Sequence, residues 1–263
     1  MKWVKSLTAY RHGQSAYNEL KHLKDVDPSY KLFKEAFEDD YQSSRTRRLA
    51  ELMSEKYSLN TSDYDTPLTM IGEKQAIITG QHSPRITPLP DIIFYSPYVR
   101  TVSTLDNMCV GWPELANVER VAEDRIREQE HGLALLYSDW RIFHVMHPEQ
   151  KKLNDLLGDY GYQYPQGESV SQVRDRIRSF TNMLIRECAG MNVMLITHHL
   201  TKLSIRANLE RLTPHEFLDL DNTNKPANCG VTQYIGNPNM GTNGKLVLNF
   251  YNTKLYTDTE VGL

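Results

Sequence analysis

Four short apolar, β-prone runs, each stopping at charged or imidazole side chains ahead of helix-compatible sequence, restrict this chain more than any other feature. Trp3 to Tyr10 ends at Arg11-His12-Gly13. Ile92-Ile93-Phe94-Tyr95 leads into Ser96-Pro97-Tyr98-Val99-Arg100-Thr101, and Val193-Met194-Leu195-Ile196 leads into Thr197-His198-His199. A fourth run, Val118 to Ile126, precedes Arg127-Glu128-Gln129-Glu130-His131-Gly132 and, carrying charged residues, reads as a strand near an edge. Strands separated by helices predict an α/β protein, a three-layer α/β/α sandwich with a mostly parallel sheet. In such sheets ligands bind beyond the carboxyl ends of the strands, and the free N–H groups of the following helix favour an anion there.

The strand ends are spread too evenly over 263 residues for a domain boundary to fall between them, so residues 1–263 are expected to form a single domain. A hydrophobic fraction of 40% and a charged fraction of 24% are ordinary for a globular chain and give no sign of disorder. With a net charge of −3 there is no broad basic surface, which argues against nucleic acid as a partner and requires an anionic substrate to be attracted locally. No stretch has the length of a membrane helix, and the amino end lacks the apolar run of a secretory signal, so the expectation is a cytoplasmic protein. Cys109, Cys188 and Cys229 are odd in number and scattered, unlike a disulfide framework. The residues six places after them, Leu115, Met194 and Ile235, are not the arginine that a cysteine-dependent phosphatase needs.

Two arginines, two histidines and a glutamate at strand ends make up the inventory for phosphoryl transfer through a histidine nucleophile. Arg11-His12-Gly13-Gln14-Ser15 with Asn18, Pro67-Leu68-Thr69 with Gly72 and Gln75-Ala76, Ser96-Pro97 with Arg100-Thr101, Glu128 four residues before Gly132, Gly167-Glu168-Ser169, and Thr197-His198 occur in that order. As a set they resemble the histidine phosphatase superfamily, in its phosphoglycerate-mutase-like branch, over about residues 5 to 235. The resemblance implies a sheet of about six strands, one edge strand antiparallel.

On this reading His12 is the nucleophile, kept neutral by Arg11, since a nearby cation lowers a histidine's pKa. Arg11 and Arg100 clamp the phosphate with planar donor pairs. His198 and Asn18 donate to further oxygens, and Gln14, Ser15 and His199 line the substrate. Of the two carboxylates, Glu128 rather than Glu130 aligns with the family's proton donor. The arginines take the place of a cation, so neither metal nor cofactor is expected. The expected activity is that of a phosphomonoesterase acting on a small-molecule phosphate ester. The first alternative is a cofactor-dependent phosphoglycerate mutase, although Gln129-Glu130-His131-Gly132 differs from the Arg-His-Tyr-Gly that follows the acid in the mutases it resembles. The second is a catalytically silent phosphate-binding scaffold.

The remaining elements follow from periodicity and breakers. Tyr17 to Lys24 is helical up to Pro28, and Leu32, Phe33, Phe37, Leu49, Leu52 and Met53 predict one or two amphipathic helices over 30–57. Compared with shorter family members, about 20–64 reads as a helical insertion, either a surface lid or a cover that selects substrate. Thr69 is a candidate N-cap for a helix to about Gly80, and Leu133 to Leu157 and Ser169 to Cys188 also read as helical. His144 and His147 lack a third ligand at metal spacing. Val231 to Ile235 and Leu246 to Tyr251 are strand-like, and Gly244-Lys245 leads into Leu246 and a strand, unlike a P-loop.

Overall fold

A computed structural model describes residues 3–262. In chain order the elements are β1 (Ser6–Arg11), α1 (Ala16–Val26), α2 (Pro28–Asp40), α3 (Ser44–Lys56), α4 (Met70–His82), β2 (Ile92–Tyr95), α5 (Val99–Gly111) and β3 (Glu119–Ala122). There follow α6 (Trp140–Met146), α7 (Pro148–Gly161), α8 (Val170–Glu187), β4 (Asn192–Thr197), α9 (His199–Glu210), α10 (Pro214–Thr223), β5 (Val231–Asn237), β6 (Lys245–Thr253) and α11 (Asp258–Val261). The chain divides into two compact units. One holds the described residues up to Ser15, Tyr64–Glu128 and those from Val173 onward; the other holds Ala16–Asp63 and Gln129–Gln172.

The first unit contains the six-stranded sheet, ordered β3-β2-β4-β1-β5-β6. β3, β2, β4 and β1 pair in parallel, whereas β5 runs antiparallel to β1 and β6 antiparallel to β5. The antiparallel strand is therefore second from the edge, not at the edge as the resemblance implied, because the β5–β6 hairpin adds one more strand outside it. The fourth apolar run is a strand only over Glu119–Ala122; Asp124–Ile126 closes into a 3-10 turn capped by Glu123, which accepts from the Arg125 N–H at 2.9 Å. That strand does lie at an edge of the sheet. β4, between two parallel partners, is apolar and buried throughout after Asn192, as a strand covered on both faces must be.

β1, β2 and β4 are each followed within a few residues by a helix, α1, α5 and α9, whereas β3 runs into the 3-10 turn. Thr69 caps α4 by accepting from the Gly72 N–H at 3.1 Å. The helix runs two residues past Gly80, to His82. Tyr10, Ile93, Leu105, Met108, Trp112, Met194 and Ile196 form a core with Ala76 of α4 and Val231 of β5. The second unit has its own core, in which Tyr30, Phe33 and Phe37 of α2, Ala50 and Met53 of α3, Tyr57, and Ile142 and Val145 of α6 pack together. The predicted helices over 30–57 are α2 and α3, and Pro28 occupies the first turn of α2 behind the Asp27 cap. In this unit the Lys24 ammonium is buried against the Asp139 carboxylate at 3.1 Å and the Ser138 carbonyl at 2.8 Å. The predicted helix over 133–157 is broken into a 3-10 turn at Gly132–Tyr137, α6 and α7, and α7 continues to Gly161 across a non-helical Gly158. Neither α10 nor α11 was anticipated.

Candidate active site

Strand register brings three of the sequence-distant segments level with one another. β1 pairs with β4 so that Arg11 faces Thr197, and β2 pairs with β4 so that Tyr95 faces Ile196. The His12 N–H then donates to the Thr197 carbonyl at 2.9 Å and the Ser96 N–H to the Ile196 carbonyl at 3.0 Å. Consequently His12, Ser96 and His198 sit at the same height beyond the sheet, and the rings of His12 and His198 meet edge to face with centroids 5.2 Å apart.

His12 is buried. Its Nδ1 lies 2.7 Å from the Gly13 carbonyl, which can only accept, so Nδ1 carries the proton and Nε2 keeps its lone pair. Burial, and after it the charges of Arg11 and Arg100, holds the imidazole well below the usual histidine range, outweighing the Gly13 hydrogen bond. The ring is neutral at pH 7. Arg11 was expected from the sequence to provide this effect; burial is the larger cause.

The Arg11 guanidinium is anchored through Nη1 to the Pro226 carbonyl at 2.8 Å, and its buried Nε has no partner among the described residues. Arg100, on the first turn of α5, is 5% exposed, and its guanidinium stacks over the Tyr98 ring at 4.8 Å. Tyr98 in turn packs its ring on His198 at 5.2 Å. His198 is fully buried, with Nε2 2.8 Å from the Ser96 hydroxyl. Ser96 is buried too, and its hydroxyl and Nε2 share a hydrogen bond in which either group can be the donor, according to the ring tautomer. His198 Nδ1 has no protein partner among the described residues. Burial and then Arg100 keep His198, like His12, well below its ordinary pKa.

Glu128 lies at the amino end of α9. One carboxylate oxygen accepts from the His199 N–H at 3.1 Å and the other from the Leu200 N–H at 3.2 Å, where helix geometry leaves donors unsatisfied. Its charge acts on Arg11. The loop that carries Glu128 is tied down by Arg176 of α8, whose Nη1 donates to the Arg125 and Arg127 carbonyls at 2.7 and 2.9 Å and whose Nη2 donates to that of Glu128 at 2.9 Å. Beside it, Nε2 of His199 is 2.6 Å from an Asp221 carboxylate oxygen, in ion-pair range without the alignment of a hydrogen bond. Asp221 belongs to α10.

The first unit thus brings together Arg11, His12, Arg100, Glu128, His198 and His199. Gln14 and Ser15 are also in it and are buried; the Gln14 side chain accepts from the Thr69 hydroxyl at 2.7 Å, tying the turn to the α4 cap. Asn18 is on α1 and Glu130 follows Gln129, both in the second unit. His144 and His147 are also in that unit. His144 is buried among Trp140, Phe143 and Tyr162, and His147 pairs with the Tyr137 hydroxyl at 3.0 Å. Among the described residues no three histidine, cysteine or acidic side chains are grouped to hold a metal ion, and no helix is long and apolar enough to cross a membrane.

Several contributors escape sequence reading. Ser96 hydrogen-bonds His198 Nε2, Asn228 donates to the His12 carbonyl at 3.1 Å, Thr104 accepts from the Gly13 N–H at 3.0 Å, and Arg176 holds the Glu128 loop. Only Ser96 carried a signal, as the residue directly after an apolar strand.

The model of the histidine phosphatase superfamily (branch 1) matches residues 50–241, most of the chain, and the protein belongs to that family. It is 27% identical to a phosphoglycerate mutase-like protein of Arabidopsis thaliana over 62% of its own length, and 27% identical to phosphoserine phosphatase 1 of Hydrogenobacter thermophilus over 51%. Those alignments span 62% and 60% of the relatives' lengths. A solved mycobacterial glucosyl-3-phosphoglycerate phosphatase, in complex with inorganic phosphate, superposes on the fold with a TM-score of 0.62 at 17% identity, covering 95% of this chain and 98% of that one. The matched family span starts beyond the Arg11-His12 turn.

Proposed function

We propose that this protein hydrolyses phosphate monoesters of small molecules through a phosphohistidine on His12, with Glu128 as proton donor. The observation that carries the reading is the hydrogen bond from His12 Nδ1 to the Gly13 carbonyl, which leaves a neutral imidazole with its Nε2 lone pair available.

A phosphate dianion seated between the Arg11 and Arg100 guanidiniums has its charge offset by two buried cations. Nε2 of His12 attacks phosphorus in line as the ester oxygen leaves. The ring becomes cationic as the N–P bond forms, and the Gly13 carbonyl already holds the Nδ1 proton that stabilises it. His198 donates its Nδ1–H to an equatorial oxygen, worth about 10² to 10³ in rate for a well-placed donor. Glu128 gives its proton to the leaving alkoxide. Water then attacks the phosphohistidine, losing a proton to Glu128, and inorganic phosphate departs. The role of Asn18 as a further phosphate donor and those of Gln14, Ser15 and His199 toward the substrate belong to the same proposal. Similarity to a mutase-like protein keeps a phosphoglycerate mutase as the second reading, in which the phosphoryl group passes to another hydroxyl instead of water.

The test is mass spectrometry of protein quenched in alkali during turnover of p-nitrophenyl phosphate, alongside His12→Ala. An acid-labile phosphate on His12, absent from the variant, is the expected result. Turnover that His12→Ala retains would overturn the reading. Interconversion of 2- and 3-phosphoglycerate with little phosphate release would favour the mutase.

A further inference from the structure

Lys202 lies one helical turn beyond His198 on α9, its N–H bonded to the His198 carbonyl at 3.1 Å, and is 3% exposed. Its ammonium donates to the Gly230 carbonyl. The same carbonyl accepts the Arg11 backbone N–H at 3.3 Å, so the lysine sits directly behind the residue that receives the phosphate. No carboxylate pairs with it among the described residues. The titratable groups that face it are the Arg11 guanidinium from β1 and the Cys229 thiol from the turn before β5. A buried lysine with one carbonyl partner and an arginine beside it lacks what normally keeps such a group charged. Burial first, then Arg11, pushes it down to about 7, with Cys229 weakly opposing.

We propose that Lys202 is a buried third cation of the phosphate seat, largely neutral at pH 8 in the free protein and protonated when a dianion lies against Arg11, so that anion binding and proton uptake are one event. The physical reason is a reversal of sign in the local field. In the free protein Arg11 repels the ammonium; with a dianion on Arg11 the net charge in front of Lys202 changes from positive to negative. Through an effective dielectric of about 20, two negative charges nearby lift a lysine by roughly two pH units. Lys202 touches no reacting atom, and is a positioning residue that acts through Arg11 and Gly230. Departure of the product would reverse the change, returning the lysine to its neutral form and lowering the affinity for a second anion.

This inference rests on the phosphate-seat reading above, and the experiment separates the two. Tungstate is used because it stays a dianion from neutral to basic pH and takes up no proton itself. Its binding is measured by isothermal titration calorimetry at pH 8 in buffers of different ionisation enthalpy, which gives the number of protons taken up. His12 and His198 are held too low to contribute at that pH, and Cys229, pushed up to about 12, already carries its proton. Wild type is expected to take up between about half and one proton per tungstate. Lys202→Arg, which stays charged throughout, should bind tungstate with that uptake abolished; Lys202→Met should lose the uptake and bind at least about tenfold more weakly. Uptake below about 0.2 protons in wild type, or undiminished uptake in Lys202→Arg, would overturn the proposal. Glu128 and His199 also lie at the seat, so the uptake is assigned to Lys202 by its loss in Lys202→Arg, or in Lys202→Met should the arginine variant fail to fold. Absence of tungstate binding in wild type would instead overturn the phosphate-seat reading on which it rests.

Discussion

Gly13→Ala tests whether the His12 turn depends on the close approach of two backbones. A Cβ at residue 13 would lie 2.4 Å from the Gly72 carbonyl oxygen and 3.0 Å from its carbon, and one at residue 72 would lie 2.1 Å from the Gln14 carbonyl oxygen. Neither obstacle is a flexible side-chain tip. Restoring an ordinary carbon–oxygen separation requires the turn or α4 to shift by about 1 Å in an interior with no space to absorb it. Gly13 carries the carbonyl that fixes the His12 tautomer and the N–H held by Thr104. A displacement of that size at the nucleophile costs about 10² in rate, and the strain costs about 1–3 kcal/mol of stability. The expected result is a kcat on p-nitrophenyl phosphate about 100-fold below wild type, with the melting temperature lower by roughly 3–10 °C. The assay pairs steady-state kinetics with thermal melting followed by circular dichroism. An Ala variant within threefold of wild-type kcat, with an unchanged melting temperature, would refute the reasoning, because it would mean the turn accommodates a methyl group without moving.

Two further outcomes follow from buried histidines. Ser96→Ala removes the hydroxyl paired with His198 Nε2, and kcat/KM should fall about tenfold with little change in melting temperature; unchanged kinetics would show that Ser96 plays no part. His144, 1% exposed with neither ring nitrogen partnered, is held by burial at about 4, below its unfolded value of 6.5. The unfolded chain therefore binds this proton more readily, so stability is unaffected above pH 6.5 and declines as pH falls towards 4. His144→Phe should remove that loss, gaining about 2–3 kcal/mol on wild type between pH 7.5 and 4.5 in urea denaturation, and parallel pH dependences for the two proteins would count against it.

Much of the fold was legible because its signals are local. The apolar runs at Ile92–Tyr95 and Val193-Met194-Leu195-Ile196 needed only their composition to be recognised as strands, and Thr69 marks a helix start by capping chemistry. α10 was legible as well and was overlooked: Thr213-Pro214-His215-Glu216 forms a capping box with proline at the first helical position. The strand predicted over Val118 to Ile126 failed beyond Ala122 because Glu123 caps a 3-10 turn with its own side chain, a competition that apolar patterning does not register.

By itself, then, the sequence determined the order of strands and helices and the residue types at their ends, including Arg11, His12, Arg100, Glu128 and His198, since each is fixed by neighbours a few positions away. Only the tertiary structure decided the position of β5 within the sheet, the register that brings His12, Ser96 and His198 level, and the proton position on His12. It also decided the burial of Lys202 behind Arg11 and the pairing of His199 with Asp221. Those depend on partners as distant as Thr8 of β1 and Gln233 of β5, 225 residues apart. Pairings at such separations follow from strand register and from the desolvation of polar groups in a shared interior, neither of which is encoded in any short stretch of chain.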